Sequence, residues 1–160
     1  MNDSLLGTAR AALVPVAACA VALAGLTAWT ASGGAGRPAH VTVEDARVLL
    51  PFGTDDTAAM LRLRNTGDTD DELVAVEAPT AGGAMLSRTV VANGAGSMRM
   101  IPSVSVPAHG VLAMSPHELD VMVSAPPRLN PGDRLPLVLR FRHTGTVRAE
   151  AVVVRPGTRD

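Results

Sequence analysis

The stretch "LPLVLRFRHTGTVRAEAVVV" does more than any other to restrict the fold. In an extended chain, residues two apart share a face. Here Leu137, Leu139 and Phe141 fall on one side, with Arg140 and Arg142 on the other. A turn at Thr144–Gly145 follows, and the returning segment sets Val147, Ala149, Ala151 and Val153 against Arg148 and Glu150. That is a hairpin with one face for a core and one for water. "AAMLRLRNTGD" repeats the alternation and breaks at an Asn-Thr-Gly-Asp turn, and "VTVEDARVLL", "DELVAVEA" and "AMLSRTVVA" are further strand segments. From His40 onward no long stretch keeps apolar residues at helical spacing. The expected fold is all-β, a β-sandwich or small Greek-key barrel. "SAPPRLNPGDRLP" holds four prolines, which exclude a central strand, and is expected to be a loop across one end.

The N-terminus breaks this pattern. "AALVPVAACAVALAGLTA", Ala11–Ala28, runs eighteen residues without a charge and is followed by the small, flexible "SGGAGRPA". The reading is a signal peptide or N-terminal membrane anchor over residues 1–30, a flexible linker at 31–39 and one domain at 40–156. The domain then lies outside the cytoplasm, secreted or attached to the cell membrane. "VAAC" before and at Cys19 resembles a lipoprotein processing site, but apolar sequence continues past it, which favours the other two readings. Cys19 is the sole cysteine, so the exported domain has no disulfide and no thiolate metal site.

Several function classes lack their residues. A net charge of −1, with fourteen arginines and no lysine dispersed among the acids, offers no basic stripe for nucleic acid. His40, His109, His117 and His143 show no paired metal spacing, and His143 is expected on the surface beside a turn. Ser87 and Ser115 have no neighbouring base or orienting group, so no nucleophile is assembled. The run "DTDDE", Asp68–Glu72, lacks the spacing and glycine of a calcium loop and is expected to be a solvated turn. No catalytic residue is assigned, and the chain is not read as an enzyme.

What stands out is sulfur. "SMRMIPSVSVPAHGVLAMSPHELDVMV" carries Met98, Met100, Met114 and Met122, and Met85 lies just upstream. At strand spacing Met98 and Met100 share a face, as do Asp120 and Met122, and Met85 and Ser87. Two explanations stand side by side at this point. Methionine fills irregular gaps in a core poor in aromatics. Thioether sulfur is also a soft neutral ligand that prefers Cu(I) to zinc, calcium or magnesium. Arg99 between two sulfurs, with Ser97 and Pro102 flanking, looks like a strand end near solvent, where gap filling is least needed.

From about Val41 to Val154 the chain resembles the PCu(A)C family (DUF461) of extracytoplasmic copper chaperones. The likeness runs through "VTVEDARV", "AAMLRLRNTGDTDDELVAVEAP", "MRMIPSVSVPAHGVLAMSP" and "LNPGDRLPLVLRFRHTGTVRAEAVV". The resemblance implies a cupredoxin-like Greek-key sandwich with a surface Cu(I) site that delivers copper to cytochrome oxidase or its assembly factors. The family's metal motif is a histidine or methionine, ten residues, a methionine, twenty-one residues, then His-x-Met. Set on Met98, it meets Met122 but finds Ser87 and Asp120 at the two histidine positions. The implied ligands are therefore Met98 and Met122, with a third sulfur from Met85 or Met100. His117, three residues before Asp120, is a further candidate; Asp120, at a motif position, is either a hard oxygen ligand of little help to Cu(I) or an ordinary solvated carboxylate. The rival reading is a metal-free sandwich whose methionines form an apolar patch for a protein partner.

Overall fold

Alternation decides where the chain is extended. The computed structural model describes residues 3–34, 36–52, 56–92 and 95–157. The chain divides into two compact units, Met1–Arg37 and Pro38–Asp160. In the first, Asp3–Ala31 form one helix, α1. Its segment Val14–Ala31 has a mean hydropathy of 1.7 and is long and apolar enough to cross a membrane. The first two residues of the expected leader lie outside the described residues.

The second unit is built of strands: β1 (Val41–Leu49), β2 (Thr57–Asn65), β3 (Asp71–Glu77), β4 (Gly83–Ala92) and β5 (Ala95–Met100). β6 (Val104–Val106), β7 (Val111–Ala113), β8 (Leu119–Ser124), β9 (Arg134–Phe141) and β10 (Thr146–Val154) complete it. They pair in the order β5-β4-β8-β2-β1-β10-β9-β3-β6, with β7 on β2. β1 and β10 run parallel, and the other pairs are antiparallel. Because β3 also packs against β4, the path curls back on itself around one apolar core. This is a cupredoxin-like all-β domain. β6 and β7 have three residues each, too few to display a period in the sequence.

The core is what the alternation demands. Leu61 and Leu63 of β2, Leu73 of β3, Val121 and Val123 of β8, and Leu135, Leu137 and Leu139 of β9 are fully enclosed. Each such side chain contributes about 1.5–3 kcal/mol by leaving water. On the outward side, Arg62 and Arg64 pair with Glu44, and Arg134 with Glu150. One expectation is corrected here: Pro136 lies inside β9, opposite Glu150 of β10, and not in the preceding loop. The β3 ladder begins only at Val138, so β9 has a free side at Pro136, the setting in which a strand tolerates proline.

Two polar residues tie the turns to the core. Asn65 is buried; its carbonyl accepts from the His40 and Gly67 amides, and its amide donates to the Thr69 and Val106 carbonyls. Gly67 runs against the chain at Pro38, where an added Cβ would stand 2.2 Å from the Pro38 carbonyl oxygen. Of the acidic run, Asp68–Asp70 form the exposed turn expected, but Asp71 is buried at the start of β3. Its carboxylate accepts from the amides of Glu72 (2.8 Å), His143 (2.9 Å) and Thr144 (2.8 Å), joining β3 to the β9–β10 turn. His143 itself is exposed there, as expected.

Burial alone pushes the Asp71 carboxyl up, but hydrogen bonds from Thr144, His143 and Glu72 outweigh it and hold the carboxyl below its ordinary 3.8. The folded state therefore binds this proton less readily than the unfolded chain. The resulting stability is complete above pH 3.8 and disappears as pH falls through the lower folded value. Asp71→Ala is expected to cost about 3 kcal/mol at neutral pH, because it leaves three part-buried amides without their acceptor. Denaturant melts at pH 7 and pH 3 check this: the gap between the two proteins should narrow in acid, and a constant gap would refute the assignment.

Candidate functional site

β8 lies between β4 and β2, and its register sets the site. Met85 stands opposite Met122 and Ser87 opposite Asp120 across β4–β8. Across β4–β5, Ser87 stands opposite Met100 and Thr89 opposite Met98. Paired residues share a face, with Cβ atoms about 4.5–5.5 Å apart. Met85, Ser87, Met98, Met100, Asp120 and Met122 therefore occupy one face of β5-β4-β8. The alternate residues Leu86, Leu119, Val121 and Val123 enter the core. Ligand candidates spread over 38 positions, from Met85 to Met122, are brought to one surface by two ladders of hydrogen bonds.

The methionines on this face are not core filler. Met85, Met98 and Met100 are 49%, 50% and 51% exposed, whereas Met114 is buried in the core. Met98, Met122 and Asp120 line a pocket of about 200 Å³, with Asp56, Thr57 and Ala58 at the start of β2. Met85 and Met100 line a second hollow of about 220 Å³ beside Val74, Val76 and Ile101, at the seam between β3 and β4. His117 sits exposed in the turn before β8 and is not part of the lining of either hollow.

Asp120 departs from the solvated alternative. It is 2% exposed, not solvated, and Ser87 beside it is 1% exposed. Ser87 Oγ and Asp120 Oδ1 have no hydrogen-bond partner. Burial pushes the Asp120 carboxyl above its ordinary 3.8. The Ser87 hydroxyl offsets part of this, though it does not reach hydrogen-bonding geometry. The sequence could not report this burial, because an Asp-x-Met alternation reads the same on a wet face as on a covered one.

The Asp56–Ala58 wall was missed for a different reason. Asp56 comes just before the β2 alternation, but nothing local says that β2 pairs with β8, where Ala58 stands opposite Met122. Asp56 is itself satisfied: its carboxylate accepts from the Ala125 amide (3.1 Å) and the Ser124 hydroxyl (3.3 Å). Among the described residues, no group of three or more His, Cys, Asp or Glu side chains is gathered to hold a metal. The pocket's donors are thus two thioethers with carboxylate oxygen.

A strand-built domain with this face is a PCuAC domain, and solved structures agree. The solution structure of CuI-DR1885 from Deinococcus radiodurans is 30% identical, with 73% of this chain and 80% of that one covered and a TM-score of 0.60. The apo PCuAC domain from PmoF1 is 24% identical, over 72% and 94% of the two chains, with a TM-score of 0.61. The copper-bound PCuAC domain from PmoF2 shares the fold at 18% identity, over 72% and 93%, with a TM-score of 0.60. No curated protein matches the chain. The family model described as "Putative lipoprotein LpqE-like" matches residues 41–153, and the chain belongs to this PCuAC-related family.

Exposure makes the outward methionines chemically distinct. Mild peroxide is expected to convert Met85, Met98 and Met100 to sulfoxides well before Met114. Peptide mass spectrometry over a time course reads this directly, and oxidation of Met114 at the same rate would contradict the burial pattern.

Proposed function

We propose that this protein is an extracytoplasmic metallochaperone that holds Cu(I) through methionine thioethers and passes it to a partner. The observation that carries the reading is the pocket shared by Met98 and Met122, two methionines with the family's spacing. Thioethers are soft and neutral, which suits Cu(I) and leaves Cu(II), an ion that favours nitrogen, poorly served where both imidazoles are gone. Met85 or Met100 is the third sulfur, reached from the adjacent hollow by a long, flexible side chain. Their exposure suits transfer, since an acceptor with histidine or thiolate ligands can take the ion by exchange. Cytochrome oxidase or its assembly factors would be such an acceptor. The action is binding and release, without catalysis. The apolar α1 and the lipoprotein description of the family support a domain secreted or held outside the membrane.

Anaerobic competition against a chromophoric Cu(I) chelator tests this. One equivalent of Cu(I) should bind, with Cu(II) bound far more weakly. Met98→Leu with Met122→Leu should lower Cu(I) affinity about 100-fold or more, since even residues behind the ligands cost 10–100-fold. Unchanged affinity in the double variant would sink the assignment. A wild-type protein that cannot compete at all would favour the metal-free reading, in which half-exposed Met85, Met98 and Met100 form a partner's docking patch.

A further inference from the structure

Buried polar groups in folded proteins nearly always find a partner, and the exceptions call for an explanation. Among the described residues of this domain the other buried polar side chains have theirs. Asn65 makes four hydrogen bonds, Asp71 takes three amides, and Thr57 donates to the Leu49 carbonyl at 2.6 Å. The two orphaned atoms among the described residues, Ser87 Oγ and Asp120 Oδ1, belong to residues directly opposite each other on β4 and β8. Both residues lie on the methionine face, and Asp120 lines the pocket with Met98 and Met122. A carboxylate oxygen kept from water without a donor is costly for the empty protein. That cost is removed if a cation completes the site.

We propose that Asp120 is an anionic ligand in this pocket, standing in for imidazole, so that one soft monovalent cation is held by the Met98 and Met122 thioethers and the Asp120 carboxylate. The inference rests on the Cu(I) reading above and adds the charge that the thioethers lack. Cu(I) with two neutral sulfurs and the Asp120 carboxylate forms a neutral unit; the other carboxylate of the lining, Asp56, is exposed and already accepts from the Ala125 amide and the Ser124 hydroxyl. A divalent ion on the same three donors keeps one positive charge and meets sulfur it does not favour. Ser87 contributes a small neutral hydroxyl beside the carboxylate, adding no charge. Selectivity for monovalent soft ions then comes from Asp120 and the sulfurs together.

The test uses the full-length chain in detergent, with Cu(I) supplied anaerobically and Ag(I) as a redox-inert probe. Asp120→Asn keeps the shape and removes the charge. It should leave the melting temperature of the ion-free protein unchanged or raise it, while Cu(I) and Ag(I) affinities fall about 10-fold or more. Asp120→His supplies a neutral nitrogen ligand, should recover Cu(I) binding, and guards against a poorly folding Asn variant. Wild type that binds Cu(I) together with an Asn variant that binds it equally well would overturn this inference alone. An Asn variant with a lower ion-free melting temperature and unaltered affinity would mark Asp120 as structural and overturn it too. Wild type that binds neither ion would remove the Cu(I) reading itself, and this proposal with it.

Discussion

The β4–β8 ladder is the constraint from which the rest follows. Because side chains alternate across a strand, the register that sends Leu86, Val121 and Val123 into the core must send Met85, Ser87, Asp120 and Met122 the other way. A slip of one residue would bury the thioethers and expose the valines, at a cost of several kcal/mol of apolar burial. Core and site are therefore two sides of one hydrogen-bonded surface. β5 adds Met98 to the site from one side and β2 adds Ala58 from the other. The fold that stabilises the domain also fixes which donors can meet.

Two buried aspartates show how environment divides structural from functional charge. Asp71 is surrounded by amides that favour its ionised form, so it strengthens the fold wherever it is charged. At Asp120 burial outweighs what the neighbouring Ser87 hydroxyl offers, Oδ1 has no partner, and the ionised form is disfavoured instead. On the proposal above, this is the group that a bound cation would satisfy. The Asn65 network makes the contrast plain, since this fold supplies partners for buried polar atoms elsewhere.

Much of the architecture was legible because period-2 alternation is a direct imprint of a half-buried strand. β2, β9 and β10 stand where Leu61 and Leu63, Leu137 and Leu139, and Ala151 and Val153 announce them. The pairing of Met98 with Met100, and of Asp120 with Met122, on common faces was legible for the same reason. What alternation cannot encode is which strands become neighbours. Asp56 and Ala58 could not be assigned to the pocket, and Met85 could not be separated into a second hollow, before the β2–β8 and β3–β4 contacts were known. Asp71 and Asp120 were both expected in water because charge in a turn or beside a strand end usually is. Local composition reports neither: Asp71 is held by amides 72 and 73 residues away, and Asp120 lies opposite Ser87 of a strand that the sequence does not name as its neighbour.

The central claim, that this face holds copper by sulfur, is tested most directly by copper K-edge X-ray absorption on protein loaded anaerobically with Cu(I). Sulfur neighbours at about 2.3 Å are predicted, a typical metal–sulfur length, with an oxygen contribution and no imidazole scattering pattern. A first shell of nitrogen and oxygen alone would contradict the thioether site.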